Sequence, residues 1–380
     1  MRPIITTNTD DHIGLAVVRS LGKKNIDFQV VSNTKNTLAW YSRYCKNKII
    51  SRYDLDFFSK LSKEDIVFPM LEDTMLLLSK NASTLQCQLG CSDFETLQKA
   101  TDKSLLIQHA IRHNIPCPKT FFITKPEDIK ECVSAIDFPA ILKPSRGAGG
   151  KGILSVDSPA LPPAIAEKFL KENGHFLLQE KIPYTSKYTI GALCNAEHEL
   201  KRVCVIKELR NYPIETGQAC YVETVNEPGL VSLAEKLLKS LNFVGVADID
   251  LVIDSRDNQP KLMEINPRFW GSMQVAINAG VDFPNLLNTM LRDGDIEKSL
   301  SYKTGVRCRY MLYADLMRLF TIMRSDYSSE YKRKALRDFF KIPKDDDYYV
   351  YSHEDIMPFF GLTYIKLLRK LGIERKDQTV

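Results

Sequence analysis

Between residues 1 and 300, short stretches in which apolar and polar positions alternate are separated by longer runs of helical period. The clearest alternation is a pair, at 248–254 and 261–266, flanking Ser255-Arg256-Asp257-Asn258-Gln259-Pro260; a turn-rich stretch between two period-two runs predicts a β-hairpin with a longer loop. Side chains two apart on a strand share a face, so Glu264 and Asn266 project together. Asp250, near the middle of the partner strand, reaches that face as well. Upstream, residues 1–97 read as strands at 4–7, 28–32 and 66–70 with helices at 13–24 and 74–80, a doubly wound α/β pattern. Two helical stretches between 94 and 114 meet at Asp102, whose side chain caps the second. Ile115-Pro116-Cys117-Pro118 stops that helix, and a strand follows at 120–124. Phe138-Pro139-Ala140-Ile141-Leu142-Lys143-Pro144 has the pattern of a buried strand, as does 176–183. Alternations at 188–194, 200–208 and 219–225 then suggest antiparallel sheet, and a helix at 228–241 delivers the chain to the hairpin.

A chain of 380 residues exceeds the usual size of one core, so two or three domains are expected. The net charge of +5 is too small to imply nucleic acid, and an anionic small substrate accounts for it equally well. Nine cysteines, an odd number without a C-x-x-C pair, read as reduced thiols and not as a disulfide framework. Arg2, Asp10, Asp11 and His12 interrupt the N-terminus, and no apolar run approaches the length of a membrane span. The expectation is a cytoplasmic protein.

The candidate chemistry begins at Lys143, which ends a strand and is followed by Ser145-Arg146-Gly147-Ala148-Gly149-Gly150-Lys151-Gly152-Ile153. Glycines at this density let backbone N–H groups approach an anion, and three basic residues lie beside them, so the stretch reads as a phosphate-holding flap. It is not a P-loop, because Lys-Ser/Thr is missing at Gly152-Ile153. The first strand leads into Thr7-Asn8-Thr9-Asp10-Asp11-His12-Ile13-Gly14, whose single glycine offers no cradle for a dinucleotide pyrophosphate. No G-x-S-x-G elbow supports a hydrolase, and Cys87 and Cys91 lack the second pair a zinc site needs. Asp250, Glu264 and Asn266 form an oxygen-only set suited to a hard cation such as Mg2+, which takes its remaining ligands from water and substrate phosphates.

Taken in order, Asp102-Lys103, Lys143 with its glycine flap, Gln179-Glu180-Lys181-Ile182, and Asp250…Glu264-x-Asn266-x-Arg268 resemble the ATP-grasp superfamily over roughly residues 1–300. The wording Met263-Glu264-Ile265-Asn266-Pro267-Arg268-Phe269-Trp270-Gly271-Ser272 is similar to its carbamoyl-phosphate-synthase-like branch of carboxylate-amine ligases. The resemblance implies a mixed α/β (α+β) ATP-grasp fold. It would comprise a doubly wound pre-ATP-grasp domain at 1–97, a central lobe with the flap at 98–183, a C-terminal lobe with the metal site at 184–300, and a helical, aromatic-rich extension at 301–380.

It also implies roles. Lys103 and Lys143 would contact phosphates beneath a flap spanning Gly147, Gly149, Gly150 and Gly152. Gln179, Glu180, Lys181 and Ile182 would meet adenine. Asp250, Glu264 and Asn266 would hold two Mg2+ ions, with Mn2+ an alternative hard cation, and Arg268 would steady the transferred phosphoryl group. Relatives often place a glutamate for the ribose after the adenine-binding strand; here Thr185-Ser186-Lys187-Tyr188-Thr189 has lysine, which leaves Glu180 as the candidate. The implied reaction joins a small carboxylic acid to an amine, both amino-acid-like, through an acyl phosphate, releasing ADP and phosphate. A nucleotide-binding sensor or scaffold without turnover is the alternative. Arg210 is a candidate clamp for a substrate carboxylate through its planar fork. In the tail, helical patterns at 310–324, 330–340 and 357–375 are expected, the last amphipathic with four basic residues. Packing onto the preceding lobe is its expected fate, with contact to an anionic membrane the rarer one. No nucleic-acid partner is expected, and a homodimer is compatible with the chain.

Overall fold

The structure, a computed structural model, describes residues 1–7, 12–147, 152–159, 163–214, 217–341, 343 and 346–372. Gly149, Gly150 and Lys151 of the glycine flap, residues 8–11 and residues 373–380 lie outside the described residues. Strands β1 (Arg2–Thr7), β2 (Gln29–Ser32), β3 (Asn47–Ile50), β4 (Asp65–Phe68) and β5 (Gln88–Leu89) form a parallel sheet in the order β3-β2-β1-β4-β5. Alternate residues divide its two faces. Ile5, Val30 and Ile66 meet Leu15, Val18 and Leu21 of helix α1 (His12–Lys23). On the other face Ile4, Val31 and Val67 pack with Phe58 of α2 (Leu55–Phe58) and Leu78 of α3 (Glu72–Lys80).

Next come α4 (Phe94–Thr101) and α5 (Lys103–Arg112), separated by a single residue. Asp102 leaves helical geometry at φ −91°, ψ 109°, and its Oδ1 accepts from Ser104 N at 2.9 Å and Leu105 N at 3.3 Å, which ends one helix and starts the other. A second, antiparallel sheet contains β6 (Thr120–Ile123), β7 (Ala140–Pro144), β8 (Leu154–Val156) and β9 (Phe176–Glu180), in the order β6-β9-β7-β8. One face is closed by α6 (Asp128–Ala135) and α7 (Pro163–Asn173), with Ile123, Ile129, Val133, Leu142, Phe176 and Leu178 forming its core. Pairing of Ile141 with Gln179 and of Lys143 with Leu177 puts Lys143 and Gln179 on the opposite face.

The third sheet has seven strands in the order β14-β13-β10-β11-β12-β15-β16. Its members are β10 (Tyr184–Cys194), β11 (Leu200–Tyr212), β12 (Gln218–Thr224), β13 (Gly245–Asp254), β14 (Pro260–Asn266), β15 (Arg307–Arg309) and β16 (Asp346–Tyr348). The predicted hairpin is β13 and β14. One face, with Ile190, Val203, Val205, Ile249 and Leu262, is covered by α5 and by α8 (Pro228–Ser240). The other face is split. Toward one end Leu193, Cys204, Ile206, Val222 and Val246 pack with Trp270, α9 (Met273–Asn278), α10 (Phe283–Asp293) and α1, so the first and third sheets share one core. The positions left over on that face are polar, and they form the site described below.

The tail differs from a purely helical extension. After β15 a π-helical turn (Met311–Asp315) leads into α11 (Leu316–Arg324) and α12 (Ser329–Phe340); the chain then returns as β16, parallel to β15, before α13 (Met357–Lys370). Asp355, 3% exposed, accepts from Arg19 Nε at 2.9 Å and Ser42 Oγ at 2.7 Å, which ties the tail back to α1. Pro358, Gly361, Leu362 and Ile365 turn inward, with Gly361 against Tyr41. All nine cysteines are free, and among the described residues no helix is long and apolar enough to cross a membrane.

Candidate active site

Acidic side chains from three strands reach one cleft face of the large sheet. In the hairpin, Asp250 pairs with Glu264 and Asp248 with Asn266, whose Nδ2 donates to Asp248 Oδ2 at 3.1 Å. On β10, Thr189 stands beside Asp250 and donates to its Oδ1 at 3.0 Å. On β11, Glu208 faces the same side; Thr189 also bonds it, and Asn211 Nδ2 donates to it. Burial pushes the Asp248 carboxyl up to about 8, with Arg268 opposing the shift and Glu264 adding to it. Asp250 is raised well above the usual carboxylate range by burial and then by Asp248, Glu264 and Glu208. Asp248 Oδ1 has no hydrogen-bond partner among the described residues.

Clustered, desolvated carboxylates with an unsatisfied oxygen are a poor arrangement unless a cation joins them, so these donors fit a hard divalent ion. Among the described residues no three His, Cys, Asp or Glu side chains converge as a complete cage. The donors are spread along neighbouring strands, so an ion here draws part of its shell from water or a bound phosphate.

The basic residues stand opposite. Lys143 is 4% exposed and forms no ion pair among the described residues; burial, then Lys103, brings its pKa down to about 8. Lys103, at the first position of α5, bridges the two walls: its Nζ donates to Gly147 O at 2.6 Å and lies 3.1 Å from Glu264 Oε2. Its backbone N donates to Ser145 O at 2.8 Å. Gly147 and Gly152 have φ of +119° and +75°, values that L side chains rarely adopt, which accounts for glycine at both positions. Arg268 Nη2 approaches Asn266 Oδ1 at 3.4 Å, and its Nε lies 3.7 Å from Glu72 of α3, so the first sheet's layer also touches the cleft.

At the other end of the cleft, Gln179 is held by its Nε2 donating to Thr120 Oγ1 at 2.7 Å. The amides of Glu180 and Lys181 donate to Lys119 O and Pro139 O, both at 3.0 Å, so a base meeting this segment through an amide is left with Ile182. The Glu180 carboxylate accepts from Lys119 N at 2.7 Å and Arg256 Nη2 at 2.9 Å, one bond on each oxygen. Lys187 Nζ lies 5.1 Å from the Tyr184 ring.

Arg210 requires a correction, because its fork is already engaged. Nη1 donates to Asp315 Oδ2 at 2.7 Å and Nη2 to Asp338 O at 2.9 Å, both groups of the tail. A residue that faces the tail in this way is not presented to a substrate carboxylate. Conversely, Asp248, Thr189, Glu208 and Glu72 belong to the cleft without having been picked out. Asp248 had a usable signal, since it lies two residues before Asp250 and strand alternation places both on one face. A cavity of about 580 Å³, lined by Arg2, Lys24, Asp27, Glu64, Asp65 and Arg292, holds none of these residues and lies at the wrong end of β1 and β4 for a ligand of a parallel sheet.

Residues 100–272 match the family model described as an ATP-grasp domain. The carbamoyl phosphate synthase large chain of Methanocorpusculum labreanum is 21% identical over 285 residues, covering 71% of this chain and 27% of that protein. The chain thus spans about a quarter of the length of the curated relatives it matches. Among solved structures, a complex of biotin carboxylase with β,γ-ATP from Campylobacter jejuni superposes with a TM-score of 0.66 at 17% identity, over 80% of this chain and 74% of that one. The N5-carboxyaminoimidazole synthetase of Staphylococcus aureus does so with a TM-score of 0.63 at 15% identity, over 80% of each chain. The matched stretch runs from the helix break at Asp102 through the flap to the hairpin, so residues 100–272 are similar to an ATP-grasp domain, and the chain shares the fold of those solved structures.

Proposed function

We propose that the chain is an ATP-dependent carboxylate-amine ligase that joins a small carboxylic acid to an amine through an acyl phosphate and releases ADP and phosphate. The observation that carries this reading is the pairing of opposite charges across one cleft: the ammonium of Lys103 rests between Gly147 O and Glu264, with buried Lys143 on one wall and Asp248 and Asp250 on the other. In this reading ATP lies between a central lobe at 98–183 and a C-terminal lobe at 184–300. Asp250, Glu264 and Asn266, helped by Asp248, hold two Mg2+ ions, with Mn2+ an alternative. The bound ions supply the positive charge that lets a carboxylate approach the γ-phosphate.

An amine does not displace hydroxide from a carboxylate at neutral pH, so the acid first takes on a phosphoryl leaving group. Lys143 and Lys103 would donate to phosphate oxygens, and buried Lys143 is held in place before the nucleotide arrives. On meeting a phosphate oxygen Lys103 would release Glu264, whose carboxylate would then be one of the groups that hold a metal ion. Arg268, beside Asn266, steadies the transferred group. Glu208 and Thr189 border the place where the acid and amine meet, and the substrates are of amino-acid-like size.

The test is ADP release across mixtures of small acids and amines, with Glu264→Gln as the control. Turnover that needs both partners and is lost in the variant supports the ligase. Mg-ATP binding without turnover in any mixture would leave a nucleotide-dependent sensor, and no binding at all would end the nucleotide reading.

A further inference from the structure

Among the described residues, thirteen of the twenty-one exposed large apolar side chains lie between Met317 and Leu371, although that stretch is a small part of the chain. On α13 they form a line. Met357, Phe360, Tyr364 and Leu367, continued by Leu371, are spaced by three or four residues and are 55%, 55%, 49%, 52% and 62% exposed. This line lies away from the side that holds Pro358, Leu362 and Ile365 against the protein, so the helix has two apolar faces and only one is covered.

Charge distinguishes what covers the other. Helices α11, α12 and α13 together carry nine Lys or Arg and two Asp or Glu, an excess larger than the +5 of the whole chain. The remainder of the protein is therefore net acidic. α13 itself has Lys366, Arg369 and Lys370 and no acid. By helical geometry Lys366 and Lys370 border the apolar line, an arrangement that seats rings and aliphatic chains at a lipid interface while ammonium groups meet phosphate.

We propose that the tail docks on an anionic membrane surface, with the outer line of α13 dipping into the headgroup region and its lysines meeting lipid phosphates. Docking of this kind is peripheral, and it places the ligase cleft near a membrane. In a two-fold symmetric dimer a second copy would cover the same face by bringing the basic edges of two tails together, which charge disfavours.

The experiment is sedimentation of the full chain with vesicles of phosphatidylcholine alone or with about a third phosphatidylserine, at low and high salt. Expected is binding to the anionic vesicles only, weakened by salt and reduced at least about tenfold in Phe360→Glu/Leu367→Glu and in Lys366→Glu/Lys370→Glu. Phe360, Leu367 and Lys370 are exposed and Lys366 is half-buried, with its Nζ 4.1 Å from the Tyr313 ring, so circular dichroism checks that the variants stay folded. No binding, equal binding to neutral vesicles, or a dimer on size exclusion that the apolar pair dissolves would each overturn the proposal.

Discussion

The indole ring of Trp270 occupies the space where Gly191 has no side chain: a Cβ built there would lie 2.2 Å from its Cζ2. Gly191 pairs with Asp248 across β10 and β13, so the bare strand position lets the tryptophan close the core directly beside the acidic cluster.

Gly191→Ala must therefore move either the ring or the strand. Trp270 is 2% exposed, so there is little room to move. Loss of about 1–3 kcal/mol is expected from overpacking, read by urea denaturation. The affinity for Mg-ATP should fall in the same variant, because the displaced strand is paired at Gly191 with the one that carries Asp248.

Asp250→Asn separates stability from function. It removes an ionisable group whose charged form is disfavoured in this desolvated cluster, so the ligand-free protein should melt at the same temperature or higher. The rise in melting temperature caused by Mg-ATP should vanish, and turnover should fall by about a hundredfold or more, on the scale of losing one preorganised electrostatic group. A destabilised but active variant would contradict the assignment of Asp250.

Asp315 is 1% exposed and accepts from both Arg210 at 2.7 Å and Arg309 at 2.6 Å. Asp315→Ala leaves two guanidinium groups short of their counter-charge and should cost about 3–5 kcal/mol. Arg210→Met leaves the Arg309 pair in place and should cost less. Denaturation of the two variants in parallel gives the order.

His109 stacks on His113 at 4.2 Å, and burial, then the charge of His113, lowers its pKa from 6.5 to about 4. In the window between those values the unfolded chain binds the proton and the folded chain does not, so stability is lost as pH falls from 6.5 toward 4. His109→Gln, which keeps a polar group near Ser240, should flatten that part of the profile and leave stability above pH 7 nearly unchanged. Denaturation midpoints at pH 5 and 7.5 measure it.

The hairpin, the break at Asp102 and the parallel first sheet were legible because each is local. Alternation, a capping aspartate and strand-helix succession all act within a few residues. The parts that escaped depend on distant chain. Arg210 read as a free clamp because the carboxylate that engages it lies 105 positions later. β15 and β16 have three residues each, too few for a period, and they exist because the edge of β12 offers a ladder. Glu208 enters the cleft through the register of β10 and β11, which no local pattern specifies.

The grip of Arg19 on Asp355, with a further bond from its Nη2 to Val350 O at 2.8 Å, has a mechanical result. It stitches the last part of the chain to the first helix while β15 and β16 stay woven into the large sheet, so those two layers travel as a single body. Among the described residues the four-stranded sheet joins its neighbours through Ser145 and Gly147, which accept from Lys103, and through Pro183, which accepts from Ser255. On the proposed function, amide exchange in this small sheet should be the first to slow when ATP binds.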